Sequence, residues 1–205
     1  MTLSKRLFDL VIALLLGAVL SPLILILAVI MLLVEGRPVF YVAERMKTPQ
    51  ASFGLIKFRT MRVQSDPGGV TGGDKSARMT GLHQSLRRTR ADELPQLWNV
   101  IRGDMSLVGP RPPLRRYVDA FPDLYAQVLR SRPGVTGLAS LVFHAHEERL
   151  LAACRTPAET DTVYRRRCVP RKARLDLIYQ QRRSLCFDLR LVLGTAAKPF
   201  RRKSD

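Results

Sequence analysis

The sequence predicts a helix-rich α/β protein whose first segment lies in a membrane. Residues 10–34 are apolar and uncharged, and residues 38–61 contain two short stretches with the composition of strands. From about Glu147 onward, apolar residues recur with helical spacing. Because 205 residues suit one domain with an attachment, we expect a membrane segment over residues 1–36 and a single domain over residues 37–205.

The apolar run reads LVIALLLGAVLSPLILILAVIMLLV. As one straight helix it would be about 37 Å long, which exceeds the hydrocarbon core of a bilayer, about 30 Å. A helix on the surface of a soluble protein has a polar face, and this run has none. A cleaved signal peptide is shorter and is followed by small residues at its cleavage site. The segment is therefore predicted to lie in lipid.

Ser21 and Pro22 lie near the middle of this run, and a proline there removes a backbone donor and clashes with the preceding turn. A kinked helix that spans the membrane is one interpretation, because membrane helices tolerate such breaks. Basic residues flank the run on both sides, among them Lys5 before it and Arg37 after it, so the charges favour neither orientation. We expect a re-entrant helix that bends at Ser21–Pro22 and returns to the same membrane face.

Two stretches that follow, PVFYVAERM and ASFGLIKFRTM, both predict short strands. The next stretch, SDPGGVTGGDKS, is similar in composition to a phosphate-binding loop. However, an aspartate separates its last glycine from the lysine, and no apolar strand leads into the glycines. We therefore expect an ordinary surface loop.

The stretch ADELPQLWNVI places two carboxylates, Asp92 and Glu93, in the most arginine-rich part of the chain. Apolar residues recur after them with helical spacing, and Pro95 is typical of a first helical turn. One explanation for the acid pair is structural. Acidic residues at a helix start accept hydrogen bonds from free N–H groups and oppose the helix dipole, and such a cap is worth about 1 kcal/mol.

A second explanation is chemical, because basic residues in neighbouring motifs can bring phosphate to the same helix start. These residues are Lys57, Arg59, Arg87, Arg111 and Arg132. Their surplus positive charge keeps both carboxylates ionised. An ionised aspartate can attack phosphorus, and a neighbouring glutamate can hold Mg²⁺, which proteins bind through carboxylates together with substrate phosphates. Phosphoryl transfer requires little beyond positioning, metal and guanidinium charge.

The formal net charge of +17 points to an anionic partner, which is nucleic acid, anionic lipid or a phosphate-rich substrate. A membrane-tethered nucleic-acid-binding protein is thus an alternative hypothesis. The sequence has no helix-turn-helix, RNP or zinc signature, so nucleic acid is not the expected partner. Three cysteines without metal-type spacing predict reduced thiols and argue against a zinc site.

The C-terminal third contains three further patterns. The stretch SRPGVTGLASL predicts a turn and then an extended segment. His144 and His146 are spaced to share one face of a strand, and with the two glutamates that follow they suggest a metal site, although a surface role is the preferred interpretation. The final stretch, RLDLIYQQRRSLCFDLRLVLG, is amphipathic, and a helix at the membrane interface and an ordinary packing helix explain it equally well.

Five motifs cover residues 4–139, and the final helix belongs with them. They are KRLFDL, the Ser-Pro pair of the apolar run, KFRTM, LRRTRADELPQLWNVIRGDMSLVGPRP and RPGVTGLA. Together they resemble the bacterial sugar transferases, the monotopic phosphoglycosyl transferases that act on polyprenol phosphate, and the long central motif is highly specific. The resemblance implies a bacterial inner-membrane protein with a re-entrant N-terminal helix and a small catalytic domain on the cytoplasmic face.

By this resemblance, Asp92 is expected to be the nucleophile that takes a sugar phosphate from a UDP-sugar and releases UMP. Glu93 is expected to bind Mg²⁺, and Lys57, Arg87 and Arg111 fall at positions that line the family's phosphate site. A polyprenol phosphate, expected to be undecaprenyl phosphate, then attacks the covalent intermediate. The reaction implied is the first membrane step of a glycan or exopolysaccharide pathway.

One segment departs from the family pattern. After the GLA of residues 137–139, many relatives continue Gln-Val-Asn-Gly-Arg-Asn, whereas this chain continues SLVFHAHEERLLA. That region is expected to approach the nucleotide or the sugar, so the departure bears on which sugar is used. An inactive scaffold of a polysaccharide assembly complex is an alternative, against which the intact Asp92–Glu93 pair argues. A homodimer is compatible with the sequence, but no pattern indicates one.

Overall fold

The computed structural model describes residues 2–61 and 79–201, with side chains to residue 197. The glycine-rich loop SDPGGVTGGDKS lies outside the described residues. The longest element is helix α1, Leu3–Glu35. Its most apolar window has a mean hydropathy of 3.0, and 6% of that window is buried. Among the described residues α1 is the one helix long and apolar enough to cross a membrane, as the sequence predicts.

Helix α1 is continuous through Ser21 and Pro22, so the predicted break is not an end of the helix. The Ser21 hydroxyl donates a hydrogen bond of 2.8 Å to the Ala18 carbonyl in the preceding turn. A proline inside a helix removes one backbone hydrogen bond and kinks the axis without having to end it. The re-entrant course of α1 stays a prediction.

Both ends of α1 are held by the same domain. At its start, the Arg6 guanidinium donates hydrogen bonds to the carbonyls of Val100 and Ile101 at 2.7 and 2.8 Å. At its end, the Thr80 hydroxyl donates a hydrogen bond of 2.6 Å to the Glu35 carboxylate. A helix that spans a bilayer carries its two ends to opposite faces. The arrangement therefore favours a re-entrant course.

After α1 the chain forms the predicted hairpin, in which β1, Phe40–Met46, pairs antiparallel with β2, Ser52–Phe58. Ala43 lies opposite Leu55 in this register, and both side chains are buried. They belong to the main core, which joins the hairpin to the first half of α1 and to the C-terminal helices. Its buried members are Ala13, Ala43, Phe53, Leu55, Leu97, Val100, Met105, Leu107, Val108, Tyr179 and Leu191.

Two helices and a short turn follow the hairpin. Helix α2 is Gly81–Thr89, a 3₁₀ turn covers Ala91–Glu93, and helix α3 is Gln96–Arg102. The buried side chain of Asn99 fixes α3 to β2. Its Oδ1 accepts a hydrogen bond of 3.0 Å from a β2 backbone N–H, and its Nδ2 donates one of 2.8 Å to the Gly54 carbonyl. The turn that carries the acid pair is thus anchored on the hairpin.

The second sheet is small, with β3, Ser106–Val108, parallel to β4, Gly134–Thr136. The backbones approach closely beside it. A Cβ atom on Gly109 would lie 2.2 Å from the Arg132 carbonyl oxygen, so glycine alone fits there. The predicted extended segment after the turn is confirmed only over β4, because a helix begins soon after it.

The rest of the described chain is mainly helical. The helices are α4, Arg115–Ala120; α5, Pro122–Val128; α6, Leu138–Val142; α7, His144–Ala152; α8, Pro157–Val163; α9, Val169–Arg182; and α10, Leu185–Arg201, with a π-helical turn at Tyr164–Cys168 between α8 and α9. The helix-rich α/β class is confirmed, at 66% helix. The assignment of His144 and His146 to a strand face is wrong, because both lie in α7, where His144 pairs with Glu148 one helical turn away.

The C-terminal stretch that was predicted to form one helix forms two, α9 and α10, and the break lies just before α10. The Ser184 hydroxyl accepts a hydrogen bond of 3.2 Å from the Phe187 backbone N–H and caps the start of α10. Within α10, Leu191 is 3% exposed, whereas Leu189 and Leu193 are 45% and 60% exposed. A helix with one packed face and an exposed leucine stripe favours the interfacial interpretation.

Lys5 joins the first and last helices. Its ammonium group lies 2.8 Å from Asp9 Oδ1 in α1 and 2.8 Å from Asp188 Oδ2 in α10. Both carboxylates are buried, with 0% and 1% of the side chains exposed. The Tyr179 hydroxyl donates a hydrogen bond of 2.7 Å to Asp188, so α9 belongs to the same cluster.

Candidate active site

A cavity of about 1150 Å³ lies between β2, the 3₁₀ turn and helices α7 and α9. Five of the predicted site residues line it, namely Lys57, Arg87, Asp92, Glu93 and Arg111. They come from β2, from α2, from the turn and from the loop after β3. The fold therefore gathers the acid pair and three cations from separate parts of the chain.

The acid pair lies in a tight 3₁₀ turn and not in the first turn of a helix. Arg90 follows α2 in a left-handed conformation, with φ of 59°, which directs the chain into the turn. The Glu93 backbone N–H donates a hydrogen bond of 3.1 Å to the Arg90 carbonyl. Neither this turn nor α3 has a side-chain hydrogen bond that caps its start. The structure therefore does not support a capping role for the two carboxylates.

Asp92 lines the cavity, yet only 7% of the residue is exposed. Burial raises the pKa of its carboxyl, and the adjacent charge of Glu93 raises it further. The charges of Lys57, Arg87 and Arg111 act in the opposite direction and favour the ionised form. A poorly hydrated carboxylate among cations is suited to attack an electrophile.

Glu93 is held by two arginines. Its Oε1 lies 2.7 Å from Arg111 Nη2, and its Oε2 lies 3.8 Å from Arg90 Nη1. Burial by itself would raise the pKa of Glu93, but the charge and the hydrogen bond of Arg111 outweigh it, so the pKa is lowered. The charge of Glu93 in turn raises the pKa of Arg111. Glu93 and Arg111 therefore form a close ion pair in which each favours the charged form of the other.

Two more cations complete this part of the cavity. Arg87 Nε donates a hydrogen bond of 2.8 Å to the Thr60 hydroxyl, which fixes the guanidinium. The Lys57 ammonium lies 5.5 Å from the ring centroid of Tyr41. Burial, followed by the charge of Arg87, lowers the pKa of Lys57 to about 8. A phosphate bound beside Lys57 would favour its charged form.

Arg59 and Arg132, which were also predicted to bind substrate, are not among the residues that line this cavity. Arg59 is buried, and its guanidinium donates hydrogen bonds of 2.7 and 3.1 Å to the carbonyls of Glu35 and Gly36, which end α1. Arg132 lines a second cavity, of about 170 Å³, beside the start of α1. Arg59 therefore holds the end of α1 and Arg132 lies beside its start, and the geometry does not support substrate contact by either.

Helix α9 contributes residues that the sequence did not single out. Lys172 and Asp176 line the cavity, and Tyr164 does so from the turn before α9. Lys172 Nζ lies 3.1 Å from both carboxylate oxygens of Glu147 and 3.3 Å from the Tyr164 hydroxyl. The spacing of four between Lys172 and Asp176 indicates one helix face. Only tertiary packing, however, turns that face toward the acid pair.

The histidines of α7 have partners within the protein. His144 Nε2 lies 3.5 Å from Glu148 Oε1, and His146 Nε2 lies 3.0 Å from Arg171 Nη1. Across the part of the chain that the structure describes, no three His, Cys, Asp or Glu side chains are grouped as a metal site would require. The structure therefore gives the minority interpretation of these histidines as metal ligands no support.

Comparison with known proteins agrees with the motifs and the cavity. Residues 1–202 match the family described as bacterial sugar transferase. The chain is similar to the UDP-glucose:undecaprenyl-phosphate glucose-1-phosphate transferase of Caulobacter vibrioides, with 37% identity over 198 residues that cover 94% of this chain and 68% of that protein.

Two further relatives carry related names. Identity to the exopolysaccharide production protein ExoY of Sinorhizobium fredii is 38% over 161 residues, covering 66% of this chain and 67% of that protein. Identity to the UDP-N-acetylgalactosamine-undecaprenyl-phosphate N-acetylgalactosaminephosphotransferase of Aeromonas hydrophila is 37% over 144 residues, covering 67% of this chain and 34% of that protein. With a family match over nearly its whole length, the chain belongs to the bacterial sugar transferase family.

Proposed function

We propose that this chain is an enzyme that transfers a sugar-1-phosphate from a UDP-sugar to a polyprenol phosphate. The observation that carries the proposal is the buried Asp92 among Lys57, Arg87 and Arg111 in one cavity. These cations suit the pyrophosphate of a nucleotide sugar, and the apolar helix α1 suits an acceptor that lies in lipid. The names of relatives support undecaprenyl phosphate as the acceptor and an exopolysaccharide pathway as the setting.

Asp92 is the proposed nucleophile. One carboxylate oxygen attacks the phosphorus that carries the sugar, an O–P bond to Asp92 forms, and the bond from that phosphorus to the UMP oxygen breaks. UMP leaves with the electron pair. An oxygen of the polyprenol phosphate then attacks the same phosphorus, and the bond to Asp92 breaks, which restores the carboxylate. Two displacements through one covalent intermediate make a ping-pong cycle.

The cations stabilise the charge that moves from the attacking oxygen to the leaving oxygen. Arg111 is already held by Glu93 and Arg87 by Thr60, at 2.7 and 2.8 Å, before any substrate binds. Donors that are fixed in advance need no reorganisation when charge develops on the phosphoryl and leaving oxygens, and such positioning and electrostatic stabilisation are the main source of catalysis in phosphoryl transfer.

Mg²⁺ is the proposed cofactor, with Glu93 as its protein ligand. Hard carboxylate oxygens together with substrate phosphates form the usual Mg²⁺ site. Glu93 Oε1 lies 2.7 Å from Arg111 Nη2, whereas Oε2 lies 3.8 Å from Arg90 Nη1. The oxygen with the more distant partner, Oε2, therefore retains capacity to bind a metal. When bound, Mg²⁺ supplies further neutralisation of the pyrophosphate. Chelation with EDTA should abolish UMP release, and transfer that persists in EDTA would contradict the assignment.

The cytoplasmic face of the bacterial inner membrane is the proposed location, because the donor is a cytosolic metabolite and the acceptor lies in the bilayer. Three features support it. Both ends of α1 contact one domain, the exposed Leu189 and Leu193 lie on amphipathic α10, and the net charge of +17 attracts anionic lipid.

The test is an assay of the whole chain with undecaprenyl phosphate, Mg²⁺ and a panel of radiolabelled UDP-sugars. We expect UMP release and a labelled lipid product with at least one donor, and a complete absence of product with every donor would refute the proposal. The alternative, nucleic-acid binding, predicts a salt-dependent gel shift at physiological ionic strength. The cations lie in a cavity beside carboxylates, which disfavours that alternative.

A further inference from the structure

Asp176 is a buried carboxylate that the proposed displacement steps do not use. It lies in α9, lines the cavity and is 7% exposed. Its Oδ1 is buried without a hydrogen-bond partner. Native proteins pair almost all buried polar atoms, so a buried carboxylate at a cavity wall with an unpaired oxygen indicates a ligand that the protein alone does not supply.

A series of polar contacts leads from the acid pair to Asp176. Arg111, which pairs with Glu93 at 2.7 Å, also interacts with the charge of Glu147. Glu147 binds Lys172 Nζ at 3.1 Å, and Lys172 precedes Asp176 by one helical turn. Asp176 therefore lies beyond the phosphate-binding cations, on the α9 side of the same cavity.

The charge at this side of the cavity disfavours phosphate as the ligand. The cation that acts on the Asp176 carboxyl is Lys172, which is already paired with Glu147. Burial raises the pKa of Asp176 to about 7, as expected for a carboxyl without a strong donor. The carboxyl group accepts hydrogen bonds from hydroxyl groups in either protonation state, and its ionised form repels phosphate. Tyr125 and Tyr164 line the same cavity and add apolar ring faces. A neutral ring that bears hydroxyl groups is the chemistry that fits.

We propose that Asp176 accepts a hydrogen bond from a hydroxyl group of the sugar carried by the donor, and so helps to select that sugar. The inference rests on the proposed function. The sugar is bonded to the phosphate that Asp92 attacks, so it must extend from the cations into the rest of this cavity, which has a total volume of about 1150 Å³. Glu147 in the same wall belongs to the segment SLVFHAHEERLLA, which departs from the family pattern.

The ribose of the nucleotide also carries hydroxyl groups, so the experiment compares ligands with and without the transferred sugar. Binding of UDP-glucose, UDP-N-acetylgalactosamine and UMP to the whole chain in detergent is measured by calorimetry. The variants are Asp176→Leu, which removes both acceptor oxygens, and Asp176→Asn, which keeps one acceptor and the shape. Asp123→Asn, at an exposed acid on α5, is the matched control.

We expect Asp176→Leu to weaken binding of the preferred UDP-sugar roughly tenfold or more, and Asp176→Asn to weaken it less. Binding of UMP should stay unchanged in both variants, and Asp123→Asn should bind every ligand as the unaltered chain does. The melting temperature of Asp176→Leu should equal or exceed that of the unaltered chain, because both buried acceptor oxygens are removed. Should Asp176→Leu misfold, Asp176→Asn still gives the comparison.

An equal loss of UMP and UDP-sugar binding would assign Asp176 to the ribose and overturn the proposal. Unchanged UDP-sugar binding by both variants would also overturn it, while the proposed function would stand. If the unaltered chain binds none of the UDP-sugars in the assay panel and releases no UMP, the proposed function itself fails. The two failures are therefore distinguishable.

Discussion

Arg111 Nη2 lies 2.7 Å from Glu93 Oε1, and this ion pair makes two adjacent carboxylates unequal. Although burial opposes it, Arg111 lowers the pKa of Glu93, whereas burial and Glu93 raise the pKa of Asp92. Neighbouring carboxylates normally compete for one proton. Here Arg111 holds one oxygen of Glu93, and Asp92, which lines the cavity, is the proposed nucleophile.

Asp92→Asn should abolish transfer, because an amide cannot form the covalent phospho-sugar intermediate. We expect UMP release to fall by roughly 10³-fold or more, and radiolabel from the donor should no longer remain on the denatured protein. Asp119→Asn, at an exposed acid on α4, is the control and should behave as the unaltered chain. Substantial turnover by the Asp92 variant would refute its role as nucleophile.

Arg111→Met should lower the transfer rate by about 10²–10³-fold, because it removes the partner of Glu93 and a fixed cation that we propose binds phosphate. Arg111→Lys should recover only part of the rate, since a point charge does not replace the planar fork of arginine. The comparison is made by steady-state UMP release. Arg115→Met serves as control, because the pair of Arg115 with Glu44, at 3.3 Å, is exposed and contributes little to stability. Full activity of Arg111→Met would show that Arg111 lies outside the reacting site.

Asp176 should make the protein less stable as the pH rises. Burial raises its pKa from 3.8 to about 7, so the folded chain retains a proton that the unfolded chain releases. The stabilisation is fully present below about pH 4 and is lost as the pH rises through about 7. The variant Asp176→Asn lacks this ionisation, so its melting temperature should exceed that of the unaltered chain increasingly from about pH 5 to about pH 8.

Thermal unfolding in detergent across that range measures the effect. Lys172 and Tyr125 interact with the carboxyl and are present in both proteins. Their own ionisation therefore largely cancels when the two melting temperatures are subtracted. A difference in melting temperature that does not change with pH would mean that the Asp176 carboxyl is ordinarily solvated.

Both flanks of α1 should be accessible from the same side of the membrane. Single cysteines are introduced by Thr2→Cys and Arg37→Cys, both at exposed positions, in a chain whose exposed Cys186 is replaced by serine. Asp123→Cys reports the side on which the domain lies. With a maleimide that does not cross membranes, we expect all three cysteines to stay unlabelled in intact cells and to react after permeabilisation. Labelling of one flank alone in intact cells would establish a spanning helix.

The parts of the fold that depend on local pattern could be predicted from the sequence. The hairpin of β1 and β2 and the apolar helix α1 each follow from residue types that lie side by side in the chain. His144 and His146 show the limit of such reasoning, because an alternating pair fits one strand face although the chain there is helical. Lys172 and Asp176 were overlooked because their place at the cavity depends on tertiary packing.

Lys57 and Arg59 illustrate the same limit within one motif. Both cations flank Phe58 in the KFRTM motif, and both were expected at the phosphate. The strand β2 ends at Phe58, however, and Arg59 leaves it to meet the last carbonyls of α1. Lys57 remains at the cavity. One residue at the end of a strand thus decides which cation contacts the cavity and which holds the membrane helix.

The bridge from Lys5 to Asp9 and Asp188 can form only after both α1 and α10 have been synthesised. Helix α1 leaves the ribosome before α10, yet one ammonium group pairs with a buried carboxylate in each. Contacts between such distant parts of a chain form late in folding. Helix α9, which forms part of the cavity wall, precedes α10 in the chain. The two helices are joined by the hydrogen bond from Tyr179 to Asp188. Biosynthesis therefore presents α1 to the bilayer before α10 can dock against it.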